Sequence, residues 1–409
     1  MKYQAGALFY QEKVEDNAVA YNTAELTGVT GNAVVYPTPA AAAQVYQRAS
    51  HVTTTSIGVY GQATYTPPIA NDIAHLTLGG RWTNDKKVGQ LFIVNGAAPI
   101  VPVNGVNVQA PVNLNYSASR VDPLINLGID ATRDVHLYGK WSTGYRSGGA
   151  NSRSVSYSEF SSETISMFEI GAKTEFLNHR ARFNVAAFTA AYKNIQVDFS
   201  GAYIDFTVNP PIFTTRTTTD TINAPGTGRV KGVEAEFTVA PVKGLTLNLS
   251  YAYNSVNIPA TLNPFPIPNS GGKFITVPVP IYQVETPEHA ASGSVDYEMP
   301  INNFKMRVHL DGNYNSGYYA NATDSNYDSA TRAVTYAQPK GDAAFIVNGR
   351  LALTDITLGS TGGKLTVAVW ARNLLNEQHL FYKSGSAATG VSGFFNDFRT
   401  FGGEINIKF

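Results

Sequence analysis

A period of two runs along this 409-residue chain and limits what it can fold into. In the terminal stretch, Phe401, Ile405, Ile407 and Phe409 fall on one side of an extended strand. Gly402, Glu404, Asn406 and Lys408 fall on the other. Leu245, Leu247, Leu249, Tyr251 and Tyr253 alternate in the same way with Thr246, Asn248, Ser250, Ala252 and Asn254. Met306, Val308, Leu310 and Tyr314 oppose Lys305, Arg307, His309, Asp311 and Asn313. A sheet with one wet face explains any single case. Recurrence in segments of about ten residues, with charged or amide residues always on the second face, is the signature of a transmembrane β-barrel.

The connections carry a second regularity. Strands are expected at 2–14, 52–66, 72–86, 115–131 and 134–145, in a segment ending at 176, and at 181–196. Further strands are expected at 229–240, from 245 onward, and at 286–299, 304–316, 342–355, 363–375 and 401–409. Within 181–196 the alternation weakens, because Phe188 and Tyr192 sit on the nominally polar side. That makes about fourteen antiparallel strands in an all-β chain, with seven long connections interleaved with six short ones. Long loops fill about 15–51, 88–113, 146–161, 198–226, 257–284, 318–340 and 376–398. Outer-membrane barrels place long loops outside the cell and short turns in the periplasm, so an even strand count puts both termini on the periplasmic side. Outward residues then face hydrocarbon, and Glu234, Glu236, Lys305, Arg307, Arg350, Glu404 and Lys408 line the lumen. A lysine or arginine on the lipid face near mid-membrane costs about 2–4 kcal/mol.

Composition agrees. Charged residues make up 15% of the chain, against a typical ~25%. Tyr (23), Phe (21) and Gly (36) are abundant, which suits strands with an aromatic belt. Lys+Arg and Asp+Glu are both 30, so the chain has no basic footprint for nucleic acid. Cysteine is absent, which removes thiolate metal sites and disulfide scaffolds. No apolar run reaches the ~18 residues of a membrane-spanning helix. No nucleophile elbow, phosphate loop or paired-histidine zinc motif is present, so no enzymatic role and no cofactor is expected. Gly226-Thr227-Gly228 lacks the third glycine of a dinucleotide fingerprint and reads as a turn. His75, His136 and His309 fall on the inward side as polar lumen filling, and no metal site is expected.

The aromatics divide into two sets. Trp82, Trp141, Tyr251, Tyr253, Tyr314 and Phe409 lie near strand ends on the outward face, where interfacial girdles form. Tyr318, Tyr319, Tyr327, Phe381, Tyr382, Phe394, Phe395 and Phe398 lie in long loops. Such loop aromatics either pack on one another or stack on an aromatic or metal-chelating ligand. In the second case Arg146 and Arg399 pair with its anionic groups.

Several stretches carry a family resemblance. They are LYGKWSTGYRSGG at 137–149, Glu163-Thr164 followed by FEIGAK at 168–173, the stretch 182–196, GVEAE at 232–236, VWARNLLNE at 369–377 and the Phe-terminated last strand. In this order the chain resembles the β-barrel of TonB-dependent outer-membrane receptors, along essentially its whole length. The resemblance implies an outer-membrane ligand-uptake receptor of a Gram-negative cell, with a small-molecule cargo such as a ferric siderophore. It implies a barrel of 22 strands, outer-membrane lipid as surroundings, and insertion machinery that reads the Phe409 strand. It also implies an energy-coupling protein, engaged only through a plug segment that these residues do not contain. Residues 1–409 are therefore expected to form one partial barrel domain, the carboxyl-terminal portion, with no plug domain and no signal peptide. A fourteen-stranded passive pore, closed by pairing 2–13 with 401–409, is the alternative, and a soluble β-rich binding protein is the second.

Overall fold

The structure is a computed structural model. It describes all residues except 22–43, 69–71, 95, 206–211, 266, 269–273, 276–277, 325–336, 360–361 and 387–389. Fourteen strands follow one another in sequence order in a single antiparallel sheet. They are β1 (Lys2–Tyr21), β2 (Gln44–Tyr65), β3 (Ala74–Val94), β4 (Val112–Thr132), β5 (Val135–Arg146), β6 (Glu163–Phe176) and β7 (Ala181–Lys193). Then come β8 (Thr227–Val239), β9 (Leu245–Leu262), β10 (His289–Ile301), β11 (Phe304–Asn315), β12 (Ala344–Leu358), β13 (Gly363–Arg372) and β14 (Thr400–Lys408). The alternation of long and short connections is as the sequence indicates.

Register turns the alternation into two faces. Leu78 pairs with Ile125, Ile125 with Trp141, and Trp141 with Phe168, giving one apolar row across four strands. Leu78, Ile125 and Phe168 are exposed (59% for Phe168) and Trp141 is half-buried among them, as expected of a face that meets hydrocarbon rather than a core. Trp141 lies 6.3 Å from the Phe168 ring and donates its indole N–H to Ser166 Oγ at 3.0 Å.

The opposite face is polar and internally matched. Lys140 Nζ meets Glu169 Oε2 at 3.0 Å, Arg307 Nε meets Glu298 Oε2 at 2.7 Å, and Arg350 Nη2 meets Glu404 Oε2 at 3.1 Å. His75 and His136 share Asp130, at 2.8 and 2.6 Å. His309 sits apart from them, between Asp296 and Asp311.

Phe188 and Tyr192 belong to this inward face, which accounts for the weak alternation of β7. Phe188 pairs with Gly232, and a Cβ at Gly232 would lie 2.6 Å from its ring. Tyr60 covers Gly6, Tyr138 covers Gly171 and Trp370 covers Gly402 in the same manner, each ring lying over its cross-strand glycine. A side chain in place of any of these glycines would expel the ring, so these pairs help to fix register. In the short turn between β8 and β9, Gly244 has a φ of 85°, and a Cβ there would collide with the Glu298 carbonyl oxygen.

Three sequence expectations need correction. The strands run further into the long connections than the alternation indicates. β1 reaches Tyr21, β2 starts at Gln44, β3 ends at Val94, β4 starts at Val112 and β9 extends to Leu262. About 9–11 tilted residues span a bilayer, so the 22 residues of β2 project well beyond it. There the strict alternation stops while the hydrogen-bond ladder continues, and the extensions of β3 and β4 bury Leu91, Leu114 and Tyr116 against Tyr157.

The connection expected as a Thr-rich loop at 198–226 is a β-hairpin, Gln196–Asp205 with Ile212–Asn223. The last long loop likewise holds a hairpin, Leu380–Ser386 with Gly390–Phe395.

Closure is the third correction. β1 pairs only with β2 and β14 only with β13, and among the described residues no pairing joins 2–13 to 401–409. The fourteen strands form an open wall, so the closed fourteen-stranded pore is not formed.

The two faces make opposite demands at neighbouring positions. Leu249→Arg, on the outward face, is expected to destabilise the bilayer-inserted protein by about 2 kcal/mol, and Ser250→Arg, facing inward, by under about 1 kcal/mol. Equal costs in denaturant unfolding from lipid vesicles would contradict the assignment of faces.

Candidate ligand-binding mouth

At the long-loop end, the inward face and the loops enclose a cavity of about 510 Å³. Its floor comes from inward positions of the wall, Tyr192 on β7, Val230 on β8 and Asn254 and Val256 on β9. Arg146 at the end of β5 and Glu163 at the start of β6 form one side. They pair directly in the ladder, and Arg146 Nη2 meets Glu163 Oε2 at 3.0 Å. Glu163 also accepts the Gln196 backbone N–H at 2.8 Å, and Gln196 Nε2 donates to the Ser147 and Ser161 carbonyls, both at 3.1 Å. The base of the 196–223 hairpin is thereby anchored to the rim. The Arg146 side chain is 60% exposed and its partner 14%, so the guanidinium reaches into the opening while its counter-ion is held.

The other side is the segment 281–286. Tyr282 lines the cavity, and the Tyr319 ring stacks on it with centroids 4.1 Å apart and planes at 16°. Backbone bonds fix this pair, with Tyr282 N donating to Ala322 O at 2.7 Å and Glu285 N to Tyr319 O at 3.0 Å. Burial, ahead of the nearby Asp324 carboxylate, pushes the Tyr282 phenol above its ordinary value, so the ring stays neutral at physiological pH.

The loops carry a small core of their own. Val197, Phe199, Ala224, Phe265, Val279 and Ile281 are buried together, with Ile195, Ile222 and Ile258 against them. This cluster joins the 196–223 hairpin to the segment after β9, up to Ile281 beside Tyr282. The loop before β6 is tied on as well, since Asn151 Nδ2 donates to Thr221 Oγ1 at 3.0 Å and Ser154 hydrogen-bonds Asp220.

The sequence model of the family described as TonB dependent receptor-like, beta-barrel matches residues 4–374. The chain belongs to that family. Among solved structures, this receptor-type barrel is similar to the ferric yersiniabactin uptake receptor of Yersinia pestis (TM-score 0.62, 14% identity, covering 99% of this chain and 51% of that one). It is also similar to a siderophore receptor of Acinetobacter baumannii (0.61, 14%, 99% and 52%). A third likeness is to the ferric-catecholate import receptor of Escherichia coli K12 (0.61, 15%, 99% and 51%). At such identities the likeness is one of fold. The chain spans about half the length of these structures. No curated protein matches it.

The structure divides the residues that sequence reasoning singled out in this TonB-dependent receptor barrel. Arg146 lines the mouth cavity, and Tyr319 backs it through Tyr282. Tyr318 lies next to them in sequence and accepts the Gly341 backbone N–H at 2.8 Å. Tyr327 lies outside the described residues. Phe381, Tyr382, Phe394 and Phe395 sit on the 380–395 hairpin, away from the cavity lining, with the Tyr382 and Phe394 rings packed on each other at 5.4 Å. Arg399 stands over the Phe401 ring at 5.5 Å and donates to Leu374 O at 3.4 Å, so it too lies outside the cavity. Sequence reasoning missed Tyr282, Glu163 and Gln196. It flagged Tyr192 only as an irregularity in alternation, and that irregularity was the available signal.

The 380–395 hairpin is docked on the preceding loop by a polar network. Gln338 Nε2 donates to Gly385 O and Gly385 N donates to Gln338 Oε1, both at 3.1 Å, while Asn321 Nδ2 bridges Gln338 and Ser384. Beside it Asp342 binds the Lys383 ammonium and the Leu380 backbone N–H. Those two partners, the lysine first, hold the Asp342 carboxyl below its usual range. A depressed carboxylate contributes stability that is complete above its unfolded value, about pH 4, and is lost as pH falls through the folded value. Protection factors from hydrogen exchange in 380–386 should therefore hold steady above about pH 5 and drop as pH falls below about pH 4. In Asp342→Asn they should start lower and lose this dependence.

Proposed function

We propose that this chain forms the wall and the ligand-facing mouth of an outer-membrane uptake receptor whose cargo is a ferric chelate of siderophore type. The long loops lie outside the cell and both termini on the periplasmic side. The observation that carries the cargo reading is the mouth cavity, with a stacked tyrosine pair on one side and an exposed guanidinium held by its carboxylate on the other. Planar rings of an aromatic chelate stack on tyrosine, and its anionic oxygens take charge-assisted hydrogen bonds from Arg146. Membership of a receptor family, with a ferric yersiniabactin uptake receptor, a siderophore receptor and a ferric-catecholate import receptor as structural neighbours, supports transport rather than catalysis.

The open edges of β1 and β14 favour a larger closed barrel, in which this sheet is a fourteen-strand section. On that reading the Phe409 strand is presented to the outer-membrane insertion machinery. Energy coupling reaches the mouth through a plug segment, and the chain fits one partial barrel domain. Each is tested separately, by the mass of the native protein for the section reading and by deletion of Phe409 for insertion.

The cargo reading is tested by ferric-chelate binding and uptake in cells that depend on this gene. Tyr282→Ala is expected to weaken chelate binding roughly three- to tenfold, from loss of ring stacking. Phe394→Ala, on the separate hairpin, should leave binding within about twofold, since its ring lies outside the cavity. Gene deletion that leaves uptake of catecholate, hydroxamate and carboxylate chelates unchanged would overturn the reading.

A further inference from the structure

The outward face of β8–β12 breaks the otherwise even apolar belt. Ala291 and Gly293 on β10 and Gly312 on β11 are small residues at adjacent outward positions. Leu249 and Tyr251 rise on one side, and Tyr314 and Phe345 on the other. The result is a groove of about 750 Å³ with almost entirely apolar walls, open to the surroundings of the sheet. Glycine here leaves room that neighbours already crowd, since a Cβ at Gly293 would lie 2.9 Å from Leu249 Cδ2.

A polar sequence stands above the groove on the same face. Tyr253 pairs with His289, their rings are 5.2 Å apart, and the Tyr251 hydroxyl bonds His289 Nδ1 at 2.9 Å. One step further toward the long-loop end, β8 changes from Ala235 and Val233 to Lys231 and Arg229, which share that outward phase of the ladder, Arg229 at the rim where it also borders the mouth cavity. Lys193 on β7 joins them, opposite Thr227. All three are exposed, and among the described residues none has a carboxylate partner. On the inward face Lys140, Arg307 and Arg350 each meet a carboxylate, while Lys173 lies over the Tyr138 ring. At ~3.3 Å per residue, Lys231 stands about 13 Å above the Tyr251 row, the height of a headgroup over the upper part of its chains.

The geometry points to a binding site for one anionic lipid, its acyl chain in the groove and its phosphate between Lys231 and Arg229. This rests on the membrane-spanning reading above. Charge complementarity selects the occupant. Unpaired cations on a lipid-facing surface are tolerated at the headgroup level, where they attract phosphate, and the groove beneath takes a flexible chain. Tyr253 and His289 occupy the interfacial step between the two.

The test inserts the full chain into bilayers of phosphatidylcholine containing a minority of phosphatidylglycerol. Mild detergent extraction then leaves retained lipids to be counted by native mass spectrometry. The expected result is enrichment of phosphatidylglycerol over its bulk fraction. The double variant Arg229→Ser/Lys231→Ser should lose that preference roughly fivefold for each cation removed. Ala291→Leu, which fills the groove, should lower retention of both lipids. Equal retention by the wild type, or an undiminished preference in the double variant, overturns the site while the membrane reading stands. Failure of the wild type to insert at all overturns both.

Discussion

In hydrocarbon a backbone amide has no partner except another backbone, and the rest of this structure follows from that constraint. Each strand must satisfy its ladder on the neighbouring strand, so register is fixed residue by residue. Register then decides which side chains meet lipid. The row from Leu78 through Ile125 and Trp141 to Phe168 is apolar because all four positions share one phase of the ladder. The alternate phase carries Lys140, Glu169 and Asn126, which could not stand on the outer surface at low cost.

Above the belt the constraint relaxes and a different logic begins. Projecting strands and loops no longer meet lipid, so they are organised by local cores and polar ties rather than by parity. The Phe199 and Phe265 cluster, the Glu163 clamp on Gln196 and the Gln338 network each hold one long connection against another. The groups that line the mouth cavity on this layer draw their positions from the wall below. Tyr192 and Arg146 belong to the wall and Tyr282 to the loops, so the mouth cavity is built from both.

The wall was legible in the sequence because its signal is local. Alternation in β9 or β14 is visible in nine consecutive residues, and the turns between strands are short enough to count. What escaped was non-local. Tyr282 and Tyr319 form a stack, yet 37 positions separate them in numbering and no periodicity links them. The 196–223 hairpin is closed by a core whose members come from 195 to 281, and its run of threonines looks like a loop when read alone. Composition could not say that Tyr382 and Phe394 would pack on each other, or that Arg399 would stand over Phe401. Phe188 was the opposite case, an irregularity with a local cause, because the glycine that admits its ring is its partner on the next strand.

Among the described residues the outer borders of β1 and β14 carry no strand partner, and a border left free has a consequence outside the membrane. β1 runs away from the short-turn end and β14 runs back toward it, so one border of a molecule is complementary to the other border of a second copy. A sheet left with both borders free is a bifunctional monomer in the polymer sense. Joining border to border uses one up and leaves one free, and the contact is heterologous and does not close by itself. In water such a chain grows by addition, with the apolar outer face driving lateral coalescence of the products. Capture of those borders during biogenesis, by a chaperone or by the rest of a barrel, is therefore as much a condition of the fold as any contact within it.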